Sequence, residues 1–416
     1  SNSAAAKAVA VRGGAGDDTL VNRGTSTATA SASALNVTVG IDVKIEENGA
    51  LAGVSLVDSD ATAKARAVGL DGGAGSDRIE NLGQLDSTAS ASATSVSASV
   101  KVQRLAEKGL AASVTVLDAD TTATATAVGL RSGDAALAVD EAQGDDEAQG
   151  DDEARRDAGD PGRAALGRPS KSCASAVAHH GCTPPAPPAE LRNAGAIKVD
   201  ADAANVAVNV AAHVNLAKEG AAVGVALSDT SATTTASATG MQGGEAGERL
   251  ANEGRLGLTA TSQAVSVGVN LTVEGSTTGL AAGATLTRSA VDASAAATGI
   301  AGGGGDDLIL NTGTIATQSR NVQDPRTVQA TATTVSVGIE PTVVTKTGAA
   351  IGAALTDTRA ASSATVTGID GDDGDDNPHP AGRREPEHRP PTAGRRRPEE
   401  SPGVREHPFG RIEADP

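Results

Sequence analysis

An asparagine recurs in this chain at a fixed interval, and that interval constrains the fold more than any other feature. Turns that resemble D-x-[LI]-x-N-x-G place five asparagines at equivalent positions: Asn22, Asn81, Asn193, Asn252 and Asn311. Three of the four gaps are 59 residues and the gap from Asn81 to Asn193 is 112, so one unit carries an insertion. We therefore divide the chain into five units, at residues 13–71, 72–189, 190–241, 242–301 and 302–370. Such a period is typical of repeat architectures in which each unit packs on its neighbours.

The composition agrees with a thin, repetitive core. The 416 residues include no Trp, no Tyr and a single Phe, but 50 Gly. Globular cores of this size normally use aromatic side chains for bulk, so a core of Ala, Val, Leu and Ile must bring the backbones close together. The net charge of −18 disfavours nucleic acid as a partner. No apolar run reaches the ~18 residues of a transmembrane helix, so we expect no membrane span.

Each unit contains two long segments in which apolar and polar residues alternate. In the first unit these segments are residues 25–45 and 50–70, and a short turn at Gly49 joins them. Alternation with a period of two, rich in β-branched residues, predicts β-strands. We expect strands of ~18 residues, or roughly 60 Å at about 3.3 Å per residue.

The parity of the apolar positions changes along each segment. Alanines occupy even positions from Ala28 to Ala34, whereas Val37, Val39 and Ile41 occupy odd positions. A bulge near Asn36 and its equivalents would let both sets face one interior, and this is what we predict. His213 alternates with Val214, so by the same logic we expect it to be exposed.

Two all-β architectures fit the pattern. In the first, equivalent strands of successive units pair in parallel and form a β-solenoid, like a β-roll or β-helix, of five ~59-residue units with long strands. In the second, each unit is a long antiparallel hairpin on a short spine, in a register that pairs Ala34 with Ala61. We favour the solenoid, because stacking near-identical units in register satisfies the interior backbone groups.

Two segments interrupt the plan. Residues 131–189 and the region from 371 to 416 lose the alternation and fill with Pro, Arg, Ala and acidic residues, so we expect both to be disordered. The organisation is therefore repeat units one and two at 1–130, an insertion at 131–189, units three to five at 190–370, and a tail at 371–416.

A glycine–acid turn opens the units and is the main candidate for chemistry. The stretches GGAGDDTL at 13–20, GGAGSDRI at 72–79 and GGGGDDLI at 302–309 each match G-G-x-G-x-D-x-U. In the fourth unit Glu248 replaces the aspartate. Glycines allow carbonyls and an aspartate to converge, and Ca²⁺ takes six to eight hard oxygen ligands. The structural alternative is that glycine supplies positive φ and aspartate caps a turn without metal.

These stretches resemble the calcium-binding nonapeptide of repeats-in-toxin, or hemolysin-type, proteins. The resemblance implies Ca²⁺ as the cofactor, with ligands drawn from carboxylates and glycine carbonyls, and Leu20, Ile79 and Ile309 as inward apolar anchors. The candidate ligands are Asp17, Asp18, Asp77, Asp306, Asp307, Gly14, Gly16, Gly73, Gly75, Gly303 and Gly305. The resemblance covers about ten residues of each unit, and the consecutive nonapeptide repeats that are typical of the family are absent. The turns also resemble the rungs of secreted β-helix adhesins.

The sequence therefore predicts a structural protein rather than an enzyme. We expect a secreted or cell-surface, adhesin-like bacterial repeat protein that binds calcium, contacts surface glycans or proteins, and self-associates through open strand edges. The alternative is a calcium-independent scaffold or an ice- or glycan-binding solenoid, for which Thr122, Thr124 and Thr126 would contribute to a hydroxyl grid. Solvent-facing Thr is also ordinary in strands.

Overall fold

The computed structural model describes residues 1–133, 188–316, 328–372, 374 and 377–380. One compact unit, Ser1–Ala381, contains all the described strands. Most of the predicted insertion, at 134–187, and of the predicted tail, at 381–416, lies outside the described residues.

The described residues form an all-β structure without helix. Four of its strands run through a turn and so contain both long segments of a unit. The strands are β1 (Asn2–Ala15), β2 (Thr19–Asn22), β3 (Thr25–Glu46), β4 (Gly49–Asp58), β5 (Ala61–Ala74), β6 (Arg78–Asn81), β7 (Gln84–Arg131), β8 (Glu190–Asn193), β9 (Ala196–Gln242), β10 (Arg249–Asn252), β11 (Arg255–Ala301), β12 (Leu308–Asn311), β13 (Thr314–Ala316), β14 (Val328–Asp370) and β15 (Asn377–Pro380).

A glycine with positive φ joins the two long segments of each unit, which we call the outbound arm and the return arm. In the first unit the outbound arm is β3, the return arm is β4 and β5, and Gly49 has φ of 118°. Gly109, in the middle of β7, has φ of 150°. A methyl group there would collide with the carbonyl oxygen of Gly49, so the turns also stack too closely for any side chain.

Strands of successive units pair in parallel and in register. β3 pairs with β7 from Thr25 opposite Gln84, β7 with β9 from Gln84 opposite Ala196, and β9 with β11 from Ala196 opposite Arg255. These pairs belong to a nine-stranded sheet, and the four-residue strands form a separate six-stranded sheet. Ala34 pairs with Ala93, not with Ala61. The antiparallel register of the hairpin alternative is therefore wrong for the described strands.

The predicted bulge near Asn36 is also wrong. Every residue from Thr25 to Glu46 pairs with its counterpart in β7, which leaves no extra residue for a bulge. Even-numbered residues therefore face the inside along all of β3. The alanines from Ala28 to Ala34 are 2–4% exposed, whereas Val37, Val39 and Ile41 on the other parity are 57–73% exposed.

The parity switch thus marks a reversal of polarity rather than a bend. We call residues 36–58, 95–118, 207–229 and 266–288 the distal half of their units, and the rest of the arms the proximal half. In the proximal half alanine faces inward and Thr or Ser faces outward. In the distal half apolar residues face outward, and the inward residues of the outbound arm are largely polar, whereas the return arm also buries Leu51, Val57 and Leu117.

The inside of the distal half holds fully buried polar side chains. Lys101, His213 and Glu274 each have 0% exposure, so the expected exposure of His213 is wrong. The Nε2 atom of His213 hydrogen-bonds to the hydroxyl of Ser113, and Asn215 Nδ2 donates to the carbonyl of Val223 at 2.9 Å. His213 is buried because it shares the inward parity of its arm.

The apolar core is largest in the proximal half and at the short strands, and two smaller clusters lie in the distal half around Leu105 and Leu117. Its largest cluster combines small alanines of facing arms, such as Ala30 and Ala65, with Leu70, Ile79 and Ile309. Ile79 and Ile309 are 0% exposed, and Leu20 is partly buried against the same cluster, so the three predicted anchors face inward.

The recurring asparagines form a continuous buried ladder. Asn22 Nδ2 donates to Asn81 Oδ1 at 2.8 Å, and Asn81 Nδ2 donates to Asn193 Oδ1 at 2.9 Å. The same bond joins Asn193 to Asn252 and Asn252 to Asn311, both at 2.8 Å. The ladder continues past the insertion without a break. Each asparagine hydrogen-bonds to the asparagine of the next layer, and this explains why asparagine recurs at the same place in every unit.

Replacing an inner rung should destabilise the chain more than replacing the last one. Asn81→Ala breaks two ladder bonds in a site with 0% exposure and leaves the groups of Asn22 and Asn193 without these partners. We expect a loss of about 1–3 kcal/mol in unfolding free energy. Asn311→Ala, which breaks only the bond from Asn252, is the matched control. Chemical denaturation measures both, and equal losses would contradict the ladder.

Candidate functional site

The glycine–acid turns lie between the return arm of one unit and the short strand that follows. Their glycines adopt positive φ: 121° and 104° at Gly14 and Gly16, 95° and 133° at Gly73 and Gly75, and 97° and 96° at Gly303 and Gly305. Residues with a Cβ rarely adopt these values. The local backbone of the turn therefore requires the glycines whether or not an ion binds.

Stacking of the turns adds a second requirement for glycine. A methyl group at Gly73 would collide with the carbonyl oxygen of Gly14, and one at Gly75 with that of Gly16. Carbonyl oxygens of one layer thus point at the glycines of the next. Carbonyl oxygens therefore lie at the turns, where the resemblance would place ligands for an ion. The stacking of the layers by itself brings them there, whether or not an ion binds.

The motif aspartate folds inward in the turns at 72–79 and 302–309. Asp77 is 1% exposed and Asp307 is 2% exposed. The Oδ1 of Asp77 accepts the backbone N–H of Asp18 at 2.8 Å, and the Oδ1 of Asp307 accepts that of Glu248 at 2.8 Å. Each of these carboxylates therefore ties its turn to the turn of the preceding layer.

The first acid of each turn remains exposed. Asp17 accepts the backbone N–H of Ser76 on Oδ1 at 2.9 Å, again between layers. Asp306 is also exposed. Solvent and ions can reach these two carboxylates.

The structure brings the predicted site residues together in two groups. Asp17, Asp18 and Asp77 belong to adjacent layers, and Asp307 adjoins Glu248 in another pair of layers. Between the groups lies the layer from which the insertion departs. The backbone N–H of Glu190 donates to Asp77 and that of Arg249 donates to Ala189, so this layer occupies one full step of the stack.

Glu248 was not among the predicted ligands, although it belongs to the second group. It is 5% exposed, and Ser132 donates a hydroxyl hydrogen bond to its Oε1 at 3.3 Å. Burial and then the neighbouring Asp307 carboxylate raise the pKa of Glu248 to about 7. The sequence signal was its position, because Glu248 occupies the place of the motif aspartate.

The donor atoms at the turns match calcium in type. A methyl group at Gly302 would lie 2.5 Å from the carbonyl oxygen of Gly371 and 2.6 Å from Oδ2 of Asp307. A carbonyl and a carboxylate oxygen therefore converge beside one glycine, and both are hard ligands. Within the described ranges, no group of three or more His, Cys, Asp or Glu side chains is placed to hold a metal. Carbonyls would have to supply much of any coordination shell.

A scan against protein-family models and searches of curated proteins and of solved structures found no match to this chain. Nor does the described part of the chain contain a helix of the length and hydropathy needed to cross a membrane.

The raised pKa of Glu248 predicts a stability that falls with rising pH. Folded Glu248 binds its proton more tightly than the unfolded side chain, whose pKa is near 4.5. The stabilising contribution is therefore complete below about pH 4.5 and is lost as the pH rises through about 7. We expect Glu248→Gln to remove about 3 kcal/mol of this pH dependence, measured by denaturation between pH 4 and 8.

Glu245→Gln is the matched control, because Glu245 is an exposed acid in the same turn. If the wild type and both variants give parallel stability profiles over this pH range, the protonation of Glu248 does not contribute to the stability of the turn.

Proposed function

We propose that this chain forms a β-solenoid of five ~59-residue units and serves as a structural, adhesin-like repeat protein at a cell surface or outside the cell. Its glycine–acid turns bind calcium. The in-register pairing of successive units supports the solenoid, since each described unit repeats the arms, turns and asparagine of its neighbour. A stiff, acidic, repetitive chain suits a role in spanning distance and presenting surface rather than in catalysis.

The calcium proposal rests on the stacked acids of adjacent turns. Glu248 and Asp307 adjoin in a buried setting, and the pKa of Glu248 rises to about 7 as a result. Two neighbouring buried acids are stabilised either by a proton or by a cation. Calcium would supply that charge at neutral pH.

Two groups of ligands follow from the geometry. The first would use Asp17, Asp18 and Asp77 with carbonyls near Gly14 and Gly73. The second would use Asp306 and Asp307 with carbonyls near Gly303, and Glu248 joins it. Extracellular modules with millimolar affinity often have few charged ligands, so a weak site of this kind suits a secreted protein.

A calcium-independent scaffold is the second candidate. Backbone N–H groups already donate to Asp17, Asp77 and Asp307, and these bonds stabilise the turns without an ion. The hydroxyl surface is a weaker basis for ice or glycan binding. Thr124 pairs in register with Thr235, but its other neighbour is Lys64, which interrupts the grid.

Thermal melting in calcium and in chelator separates the two candidates. A ligand that binds only the folded state stabilises it by about 2.7 kcal/mol at a hundred times its Kd. We expect millimolar Ca²⁺ to raise the melting temperature by several degrees. Asp18→Asn with Asp77→Asn should reduce the increase, since asparagine keeps an acceptor for the N–H of Asp18 but loses the charge, and the second group of ligands remains.

The matched control is Asp86→Asn with Asp202→Asn, which removes two carboxylates from outward positions of the long arms, outside the glycine–acid turns. This variant should retain the full calcium response. An identical melting temperature of the wild type in calcium and in chelator would refute calcium binding and leave the scaffold.

A further inference from the structure

The two outer faces of the distal half are largely apolar, although the exposed Arg104 pairs with Ile45 at the edge of this surface. On the outbound arms, every outward position within 37–45, 96–102, 208–216 and 267–273 is Ala, Val, Leu or Ile. The return arms repeat this at 50–56, 110–116, 221–227, 280–286 and 349–355. Ile41 and Leu56 are 73% and 74% exposed. We call these two surfaces together the apolar band.

The inside of the outbound segments is largely polar, which reverses the arrangement that water favours. Lys101, His213 and Glu274 are fully buried between arms whose outer faces are valine and leucine. In water this arrangement exposes apolar area and desolvates polar groups, and both effects are unfavourable. Against hydrocarbon the same arrangement is favourable, because the polar groups are shielded and the apolar side chains meet acyl chains.

The dimensions of the band are close to those of the hydrocarbon layer of a membrane. The nine-residue segments 37–45 and 208–216 extend for about 30 Å at ~3.3 Å per residue, and the seven-residue segments extend for about 23 Å. The hydrocarbon core of a bilayer is also about 30 Å thick. Charged side chains border the band at both ends: Glu46, Lys108 and Lys218 near the turn tips, and Asp58, Asp118 and Asp229 at the other end.

A second copy of the chain covers this surface less well. One face of the band measures roughly 30 Å along the strands and four layers of about 4.8 Å across, or about 600 Å². Stable protein interfaces bury about 600–1,000 Å² from each partner, so one face alone would reach only the lower end of that range. Packing a copy on one face would also leave the opposite face in water, whereas lipid covers both at once.

We propose that the apolar band docks into the hydrocarbon layer of a lipid membrane, with the proximal half and its glycine–acid turns outside. Parallel pairing between layers satisfies the interior backbone groups of the band, as a hydrocarbon environment requires. The outer edges of β3 and β4 have no strand partner among the described strands. Edge pairing with further units or another copy would satisfy those groups in lipid.

Flotation with vesicles tests the docking. The full chain is mixed with phosphatidylcholine vesicles and centrifuged in a density gradient, where vesicle-bound protein rises and aggregates sink. We expect the wild type to float. Ile41→Asp with Val210→Asp, two outward positions of the band, should lower the floating fraction at least tenfold.

The matched control carries the same two charges outside the band. Thr29→Asp with Thr235→Asp changes exposed outward residues of the proximal half and should float like the wild type. Three outcomes would overturn the proposal: a wild type that stays at the bottom, equal loss in both variants, or a wild-type dimer in buffer that the band variant dissociates without any vesicle binding.

A fluorescent residue then reports depth, because the chain has no tryptophan of its own. In Val210→Trp the indole lies in the band, and in Thr235→Trp it lies on the proximal outer face. With vesicles whose acyl chains carry bromine, we expect at least twofold quenching and a blue shift for Val210→Trp and neither for Thr235→Trp. Equal quenching at both positions, or none at either, would overturn docking through the band.

Discussion

Parallel, in-register hydrogen bonding between equivalent residues of successive units is the constraint on which the rest of the structure depends. It places equivalent residues of successive units next to one another, so each side chain must pack against the equivalent side chain of the adjacent layer. Asparagine does so through its amide, which donates to one neighbour and accepts from the other. Glycine at the turns does so by admitting the carbonyl of the adjacent layer. The insertion is tolerated because it leaves at a turn, and the pairing resumes from Gln84 to Ala196 with an offset of 112 instead of 59.

The same constraint explains both the hydrogen bonds that stabilise the acidic turns and the unfavourable approach of their carboxylates. Stacking brings acids of adjacent layers together, and backbone N–H groups stabilise Asp77 and Asp307 on one oxygen. Glu248 shows the cost, since burial beside Asp307 raises its pKa to about 7. The proposed calcium sites and the raised pKa are thus two consequences of one arrangement. The polarity of the distal half also follows from this pairing. Because the strand pairing continues without a bulge, it fixes which alternate residues face inward and leaves the valines on the outer face.

Much of the architecture could be predicted from the sequence. The 59-residue interval of the asparagines indicated the register, and the two-residue alternation indicated strands that continue to the turns. The polarity of the distal half could not be predicted by assuming that apolar residues face the core. That assumption required a bulge near Asn36 and an exposed His213, and both expectations were wrong. The structure instead continues the alternation and buries the polar set. The positions of the candidate acids could be read from the repeated motif, but their contacts could not. The neighbour of Glu248 and the burial of the Asp77 side chain depend on which layers are adjacent in the stack.

The central claim, parallel stacking of equivalent residues, is tested most directly by distances between spin labels. Cysteines replace Ser31 and Ser90, which pair in register on the outward face, after Cys173 and Cys182 are changed to serine. Labels at positions about 4.8 Å apart should show strong spin–spin broadening in electron paramagnetic resonance. Labels at Thr29 and Arg66, which would be directly paired in an antiparallel hairpin, should show little, since the structure places them on opposite outer faces. Strong broadening for the second pair and none for the first would contradict the stacking.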